Sequence, residues 1–469
     1  MKRGDIVTGI VGDTTFPNHG KITVEDRTIK VKGVLPGQKV SARIKRSSEG
    51  KAEGILVSVD EPSPIETATP RCPQFGICGS CTMQTVPYRE QLALKESHIR
   101  KLLAPVIRNP EEVTWLPIAG SPSDWEYRNK MEFTFGDEYR DGPLTLGQHR
   151  KGSMYDLVCA EGCCLVDEDI RSIVRETIAY AKQAGLPFYH RMRHEGYLRH
   201  LLVRKASKTG EILVDIITTT QVQHDWSGFA SRIASLTFRG QLKGVLHTVN
   251  DSAADTVLNE GTELLYGQDF ITEELLGLRF RISAFSFFQT NSEGAEVLYE
   301  TVRKMVLDVT AGETFSEGSG AGGERGVIFD LYSGTGTIGQ LLAPVARKVV
   351  GIEIVEEAVE AARVNAAANG LSNCEFVAGD VLKKLDEVTE KPDSIVLDPP
   401  RDGIHPKALP KILAYGVKHM VYISCKPTSL ARDLAPIQEA GYRVVAVQAV
   451  DLFPQTPHVE TVALLSREV

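Results

Sequence analysis

Val421 to Leu430 read VYISCKPTSL, an apolar run that ends in Cys425 and is followed by Lys426, Pro427 and two hydroxyls. A cysteine at the carboxyl end of a strand, just ahead of a helix, is a candidate nucleophile. An ordinary thiol has a pKa of about 8.5, so only a few per cent is thiolate at neutral pH. A helix beginning near Thr428 would favour the thiolate through the field of its N-terminus, and Lys426 would add positive charge if it faced inward. Near the C-terminus, TPHVETVALL places Glu460 at a strand start. A partly desolvated carboxylate there can act as a general base. Asp398 ends a further strand in LDPPR, whereas Cys374, between SN and EFV, reads as an inert buried thiol.

A thiol and a carboxylate base suit methyl transfer to a pyrimidine carbon. Carbon 5 of uracil is too weak a nucleophile to take a methyl group unaided. A thiolate added at carbon 6 makes the ring an enolate, and carbon 5 can then attack a sulfonium methyl. A base must next remove the carbon-5 proton so that the thiol can leave.

A cofactor site is legible in DLYSGTGTIG, where Gly334, Gly336 and Gly339 spell G-x-G-x-x-G between a strand and a helix. Such a turn lets backbone approach a ligand closely. Glu353 ends the next strand, placed for a ribose hydroxyl. Asp380, in VAGD, ends the third strand, where an adenine amino group could be held. This pattern fits NAD and S-adenosylmethionine equally. The DPP of LDPPR resembles the [DN]PP signature of base-modifying methyltransferases. Their amino-methylating version ends in an aromatic residue; here Arg401 stands instead, which points to a different attack chemistry.

These residues need a scaffold. VIFDLY, KVVGIE, CEFVAGD, SIVLDPP, HMVYISC, RVVAVQAVD and VETVALLS alternate with helical stretches. Near-continuous apolar strands of this kind predict a mostly parallel, doubly wound sheet over 284–469. AGETFSEGSGAGGERG (311–326) reads as a flexible insertion. Residues 1–61 show short alternating strands between Gly, Asn and Pro turns, which suits a small five-stranded OB-like barrel. Residues 62–283 read as predominantly antiparallel α+β, with a helix at Tyr88–Leu103 and 88–118 as a segment that could pack with the last domain. The fold class is therefore multidomain α/β.

The chain has 469 residues and a net charge of −8, which argues against a strongly basic coat protein. Residues 1–60 carry 11 Lys and Arg against 7 Asp and Glu, hinting at an anionic partner for that part. No apolar run approaches the roughly 18 residues of a membrane span, and the N-terminus has no signal-peptide core. A cytoplasmic monomer without a membrane or obligate protein partner is the expectation.

Eight cysteines in a long chain without a secretion signal read as metal or catalytic sites before disulfides. Cys72, Cys78 and Cys81 give C-x5-C-x2-C and can wrap one metal centre. The fourth ligand must come from CAEGCC, which offers Cys159, Cys163 and Cys164. Zinc competes with an iron–sulfur cluster here.

FSFFQTN (285–291), DLYSGTGTIG, LDPPRDG, YISCKPTSLARD and HVETV stand in the order found in RNA (uracil-5-)-methyltransferases, and the likeness covers nearly the whole chain. The chain resembles the branch that carries an N-terminal TRAM domain and a [4Fe-4S] cluster. That resemblance implies a Rossmann-like class I methyltransferase domain and S-adenosylmethionine binding by Gln289, Tyr332, Glu353 and Asp398, with Asp380 near the adenine. It further implies Cys425 as nucleophile, Glu460 as base and Cys163 as fourth cluster ligand. The implied substrate is RNA: 23S ribosomal RNA, or alternatively the tRNA T-loop uridine. The family usually has Asn or Asp where Lys426 stands and commonly Thr where Ser429 stands. A flipped-out base needs a route lined by aromatic and basic groups. Arg128, Lys130, Phe133 and Phe135 offer one such set, and Arg191, Arg193, Arg199 and Arg204 another. Two other classes compete. A non-catalytic RNA-binding protein would not need Cys425, Glu460 and Asp398 all at strand ends, and an NAD-dependent oxidoreductase leaves the thiol unexplained.

Overall fold

A computed structural model describes residues 1–48, 51–254, 258–311 and 326–467. The expected insertion at 311–326 lies, but for its two end residues, outside the described residues. Strands Ile6–Thr15, His19–Val24, Arg27–Lys32, Lys39–Ser48 and Lys51–Glu61 form a closed barrel. Closure comes from the first strand pairing with the fourth, Ile6 opposite Arg43. Strand alternation turns Ile22, Ile29, Val31, Val40 and Ile44 into the barrel core and their polar neighbours outward. The barrel sits on helix Tyr88–Leu103, where Thr14 Oγ1 lies 2.8 Å from His98 Nε2 and Lys101 pairs with Asp13.

A seven-stranded sheet follows, in the order Thr262–Gly267, Gln241–Val249, Glu211–Thr218, Leu198–Lys205, Lys130–Asp137, Leu144–His149, Leu157–Cys159. Its pairs are antiparallel except Glu211–Thr218 with Gln241–Val249. Helix Glu168–Gln183 packs on it, capped by the Asp167 carboxylate, which accepts from Ile170 N at 3.2 Å.

The third sheet has eight strands: Cys374–Ala378, Lys348–Glu353, Val327–Leu331, Ser394–Leu397, His419–Ser424, Glu460–Arg467, Tyr442–Val450 and Thr114–Trp115. The first five run parallel; Glu460–Arg467 is antiparallel to both of its neighbours. Every residue of Val327–Leu331 is buried, as a strand covered by helices on both faces must be. The strand order reverses between Val327–Leu331 and Ser394–Leu397, and ligands bind at the carboxyl ends beside such a switch point. Thr114–Trp115, far upstream in the chain, adds the edge strand by pairing with Tyr442–Val450. Among the described residues no helix is long and apolar enough to cross a membrane.

Candidate active site

Two adjacent strands deliver the thiol and the carboxylate. His419–Ser424 pairs antiparallel with Glu460–Arg467, and Ser424 stands opposite Thr461. The next residue on one strand is Cys425 and on the other Glu460, and both line one cavity. Pro427 opens helix Pro427–Glu439, where its missing N–H costs nothing. That helix clamps the Pro399–Gly403 turn. Ser429 Oγ donates to Arg401 O at 2.7 Å, Arg432 Nη2 donates to Asp402 O at 2.6 Å, and the buried Asp433 carboxylate accepts from Ile404 N at 2.9 Å. Arg401 is thereby held on the same cavity wall. Lys426 does not face inward: its Nζ is 3.3 Å from Asp402 Oδ1.

The electrostatics correct the sequence-based expectation of a thiolate. Burial pushes the Cys425 thiol up to about 11, and the Glu460 and Asp398 carboxylates push the same way, with Arg401 opposing. Burial raises Glu460 to about 8, again with Asp398 adding to the rise and Arg401 opposing it. Asp398, partly open to the cavity, is raised by burial to about 7. Desolvation and two neighbouring acids thus work against the thiolate that the helix N-terminus would favour.

The cavity, of about 1730 Å³, extends from Cys425 to the glycine turn and is lined by Gln289, Tyr332, Gly334, Glu353, Asp380 and Asp398. Glu353 closes the turn by accepting from Gly334 N and Val355 N, each at 3.0 Å. Tyr332 has a left-handed φ of 68°, and its buried hydroxyl and Ser333 Oγ have no hydrogen-bond partner. Strained backbone and unpartnered polar groups collect at ligand sites. The set fits a cofactor with a ribose and polar ends. Gln289 is fixed through its carbonyl, which accepts from Asn129 Nδ2 at 2.9 Å, and Asp380 caps Leu382 N at 3.0 Å. Gly336 differs from expectation. It does not line the cavity; its φ is 71°, and a Cβ there would meet the Phe376 ring at 2.5 Å. Its role is close packing of turn against sheet.

A family model described as tRNA (uracil-5-)-methyltransferase matches residues 87–468. The chain belongs to the tRNA (uracil-5-)-methyltransferase family. It is 49% identical over 467 residues to an uncharacterized RNA methyltransferase of Caldanaerobacter subterraneus subsp. tengcongensis, with 100% of both chains covered. An uncharacterized RNA methyltransferase of Bacillus cereus is 33% identical over 471 residues, covering 100% of this chain and 98% of the relative. The solved structure of Pyrococcus abyssi tRNA (uracil-54, C5)-methyltransferase in complex with S-adenosyl-L-homocysteine matches with a TM-score of 0.73. It covers 98% of this chain and 100% of that chain at 24% identity, and so shows a shared fold. As a member of the family, this chain is an S-adenosylmethionine-dependent RNA methyltransferase.

Six of the family member's eight cysteines line a second, small pocket: Cys72, Cys78, Cys81, Cys159, Cys163 and Cys164. Burial raises Cys81 to about 12 and Cys163 to about 11, and Cys72 and Cys78 act on both. Cys159 answers to Glu161 and Thr145 rather than to another thiol. Among the described residues, no three His, Cys, Asp or Glu side chains form a set placed to hold a metal ion.

Four of the residues expected on an RNA route are core groups instead. Phe133 and Phe135 are buried on the inward face of Lys130–Asp137. Arg199 is buried and donates to the carbonyls of Asn250, Ser252 and Ala254. Arg204, 2% exposed, donates to the carbonyls of Ala284 and Ser286 at the root of the FSFFQTN segment. Arg128 does line the cavity, and Arg193 is exposed. Lys130, half-buried, is pushed down to about 8 by burial and the nearby Arg204. Sequence reasoning gave no role to His458, Tyr299 and Phe453, which also line the cavity. His458 had a signal: it lies two residues before Glu460, on the same side of an extended chain.

Proposed function

We propose that the protein methylates carbon 5 of a uridine in 23S ribosomal RNA, with Cys425 as nucleophile and Glu460 as base. The observation that carries this reading is the register that sets Cys425 beside Glu460 on the wall of a cavity shared with the glycine turn. S-adenosylmethionine supplies, when bound, a methyl group on a positively charged sulfur. Gln289, Tyr332, Glu353 and Asp398 would hold it, with Asp380 near the adenine. Asp398 and Glu460 give the cavity a carboxylate character suited to a sulfonium. Cys425 would pass its proton to water and add as thiolate to carbon 6 of uracil, which moves the C5=C6 electron pair into an enolate; carbon 5 would then take the methyl as the S–CH3 bond breaks, releasing S-adenosylhomocysteine. Glu460 takes the carbon-5 proton, the freed electron pair forms the C5=C6 double bond, and Cys425 leaves as thiolate. Arg401 favours both the thiolate and the ionised base by its charge.

Cys72, Cys78, Cys81 and Cys163 would hold a [4Fe-4S] cluster with a structural role, since methyl transfer needs no electron. Their shared pocket and the mutual influence of their thiols support that set. Residues 1–61, 62–283 and 284–469 are the proposed domains, with 88–118 serving the third through the Thr114–Trp115 edge strand. The barrel would grip RNA backbone by charge. A tRNA uridine is the second reading, favoured by the likeness to the Pyrococcus abyssi enzyme. Either substrate would place the enzyme in the cytoplasm.

The test is incubation with S-adenosylmethionine and 5-fluorouridine transcripts of 23S RNA or tRNA. Fluorine cannot be removed as a proton, so a covalent adduct persists on the true substrate. No adduct with the wild type, or an adduct with Cys425→Ala, would refute the mechanism.

A further inference from the structure

Gln455 lies in the loop that links Tyr442–Val450 to Glu460–Arg467. It is 2% exposed and holds a left-handed φ of 68°, which residues other than glycine rarely adopt. Three other segments converge on it. Its backbone N–H donates to Gln91 Oε1 at 2.9 Å, and its Oε1 accepts from Gln91 Nε2 at 2.9 Å, a reciprocal amide clasp. Its carbonyl accepts from Thr82 N at 3.0 Å and Met83 N at 3.2 Å, the residues just after Cys81. Its Nε2 donates to Asp124 O at 3.3 Å. The same cysteine-bearing segment supplies Gly79 and Ser80 to the catalytic cavity, and the Gln455 loop supplies Phe453, Thr456 and His458 on its way to Glu460.

We propose that Gln455 is a positioning residue: by clasping Gln91 and the backbone after Cys81, it sets the loop that aims Glu460 at the carbon-5 proton. This rests on the reading of Cys425 as nucleophile and Glu460 as base. The clasp lies in the loop that leads to Glu460, and among the described residues neither glutamine hydrogen-bonds to the Pro399–Gly403 turn or to the start of helix Pro427–Glu439. Loosening it therefore slows proton removal from carbon 5 and spares thiol addition to carbon 6. The methylated adduct then accumulates, because the C6–S bond breaks only as the carbon-5 proton leaves.

The test uses full-length Gln455→Gly, which tolerates the left-handed backbone and deletes only the side chain. Gln91→Ala removes the clasp from the other side. With ordinary uridine RNA and methyl-labelled S-adenosylmethionine, each variant should accumulate a denaturant-stable, labelled protein–RNA adduct, with turnover down about tenfold or more. The rate of adduct formation on 5-fluorouridine RNA should stay within about twofold of wild type, because only the last step is affected. Gln455→Asn, which keeps the amide and tolerates this φ, should restore part of the turnover. Equal losses in adduct formation and turnover, or turnover like the wild type, would overturn the proposal. A wild type that forms no adduct on 5-fluorouridine RNA would instead bring down the reading of Cys425, and this proposal with it.

Discussion

Ser424 faces Thr461 across an antiparallel pair, so Cys425 and Glu460 leave their strands side by side. Neither residue is placed by its own local sequence; the register places both. Glu460→Gln keeps the shape and hydrogen-bonding reach but cannot take a proton. Turnover should fall by about 10²- to 10⁴-fold, while a methylated adduct on ordinary RNA builds up. Cys425→Ser should show neither turnover nor adduct. Gel-shift under denaturing conditions with labelled S-adenosylmethionine distinguishes the three proteins.

The thiol's own titration gives a second expectation. Burial, then Glu460 and Asp398, hold the Cys425 thiol up at about 11. A positive sulfur beside it would favour the thiolate, and a neutral one would not. The pH profile for alkylation of Cys425 by iodoacetamide should therefore move to lower pH with S-adenosylmethionine, by more than with S-adenosylhomocysteine. Glu460→Gln should also speed alkylation of the protein alone, chiefly above pH 8, where the wild-type glutamate is charged. Peptide mapping of the alkylated cysteine after a pH series reads both effects. An unchanged profile in every case would show that neither charge reaches the thiol.

The scaffold was legible in the sequence because its signals are local: apolar strands, glycine turns and acids at strand ends follow one another in order. Where reading failed, the deciding partner was remote. Gln91 and Gln455 are 364 positions apart, and Lys95, fully buried against Asp451, is 356 positions from it. No period in either segment announces such a pair. The raised Cys425 thiol is not legible in VYISC because its largest cause is burial, to which Glu460 and Asp398 only add. Phe133 and Phe135 were a different kind of miss. The alternation of MEFTFG already assigns Met131, Phe133 and Phe135 to one face, and that face is the core.

Arg204 is buried, and its guanidinium holds the carbonyls of Ala284 and Ser286, just ahead of Gln289. Burial lowers its pKa to about 9. Arg204→Met keeps much of the volume but leaves two carbonyls without a donor, at roughly 1–3 kcal/mol each if they stay dry. The segment should relax, and the Kd for S-adenosylhomocysteine should rise by about tenfold or more, as measured by calorimetry. Affinity for RNA should change far less. An unaltered cofactor Kd in a folded variant would show that the carbonyls find other partners.

Asp215 predicts a pH dependence of stability. It is buried in the seven-stranded sheet with Thr248 Oγ1 donating to Oδ2 at 2.9 Å and no partner on Oδ1, and burial raises it to about 7. A raised carboxyl binds its proton more tightly folded than unfolded. Its contribution is therefore full below the unfolded value near 4, lost as pH rises to about 7, and constant above that. Asp215→Asn mimics the protonated form. Urea unfolding at pH 5 and pH 8 should show a smaller loss of stability between the two for the variant than for the wild type. Asp330, Asp398 and Glu460 shift in the same direction, so the variant removes one share of the slope and not all of it.

Substitution can separate the proposed cluster ligands among the pocket's six cysteines. Cys81 and Cys163 are half-buried thiols whose pKa burial raises, so a metal would have to draw the proton off, and each is influenced by Cys72 and Cys78. Cys159 answers instead to Glu161 and to Thr145 on the neighbouring strand. Cys163→Ser should therefore cost the anaerobically purified protein its broad visible absorption and most of its iron and acid-labile sulfide. Cys159→Ser should keep all three. Cys164 also feels Cys72, then Arg171 and Glu126, but its thiol donates to Gly162 O at 3.5 Å, so Cys164→Ser should behave like Cys159→Ser. The reverse pattern would move the fourth ligand to one of those positions. A colourless wild type with one bound zinc would replace the cluster altogether, with the same four thiolates as the natural zinc set.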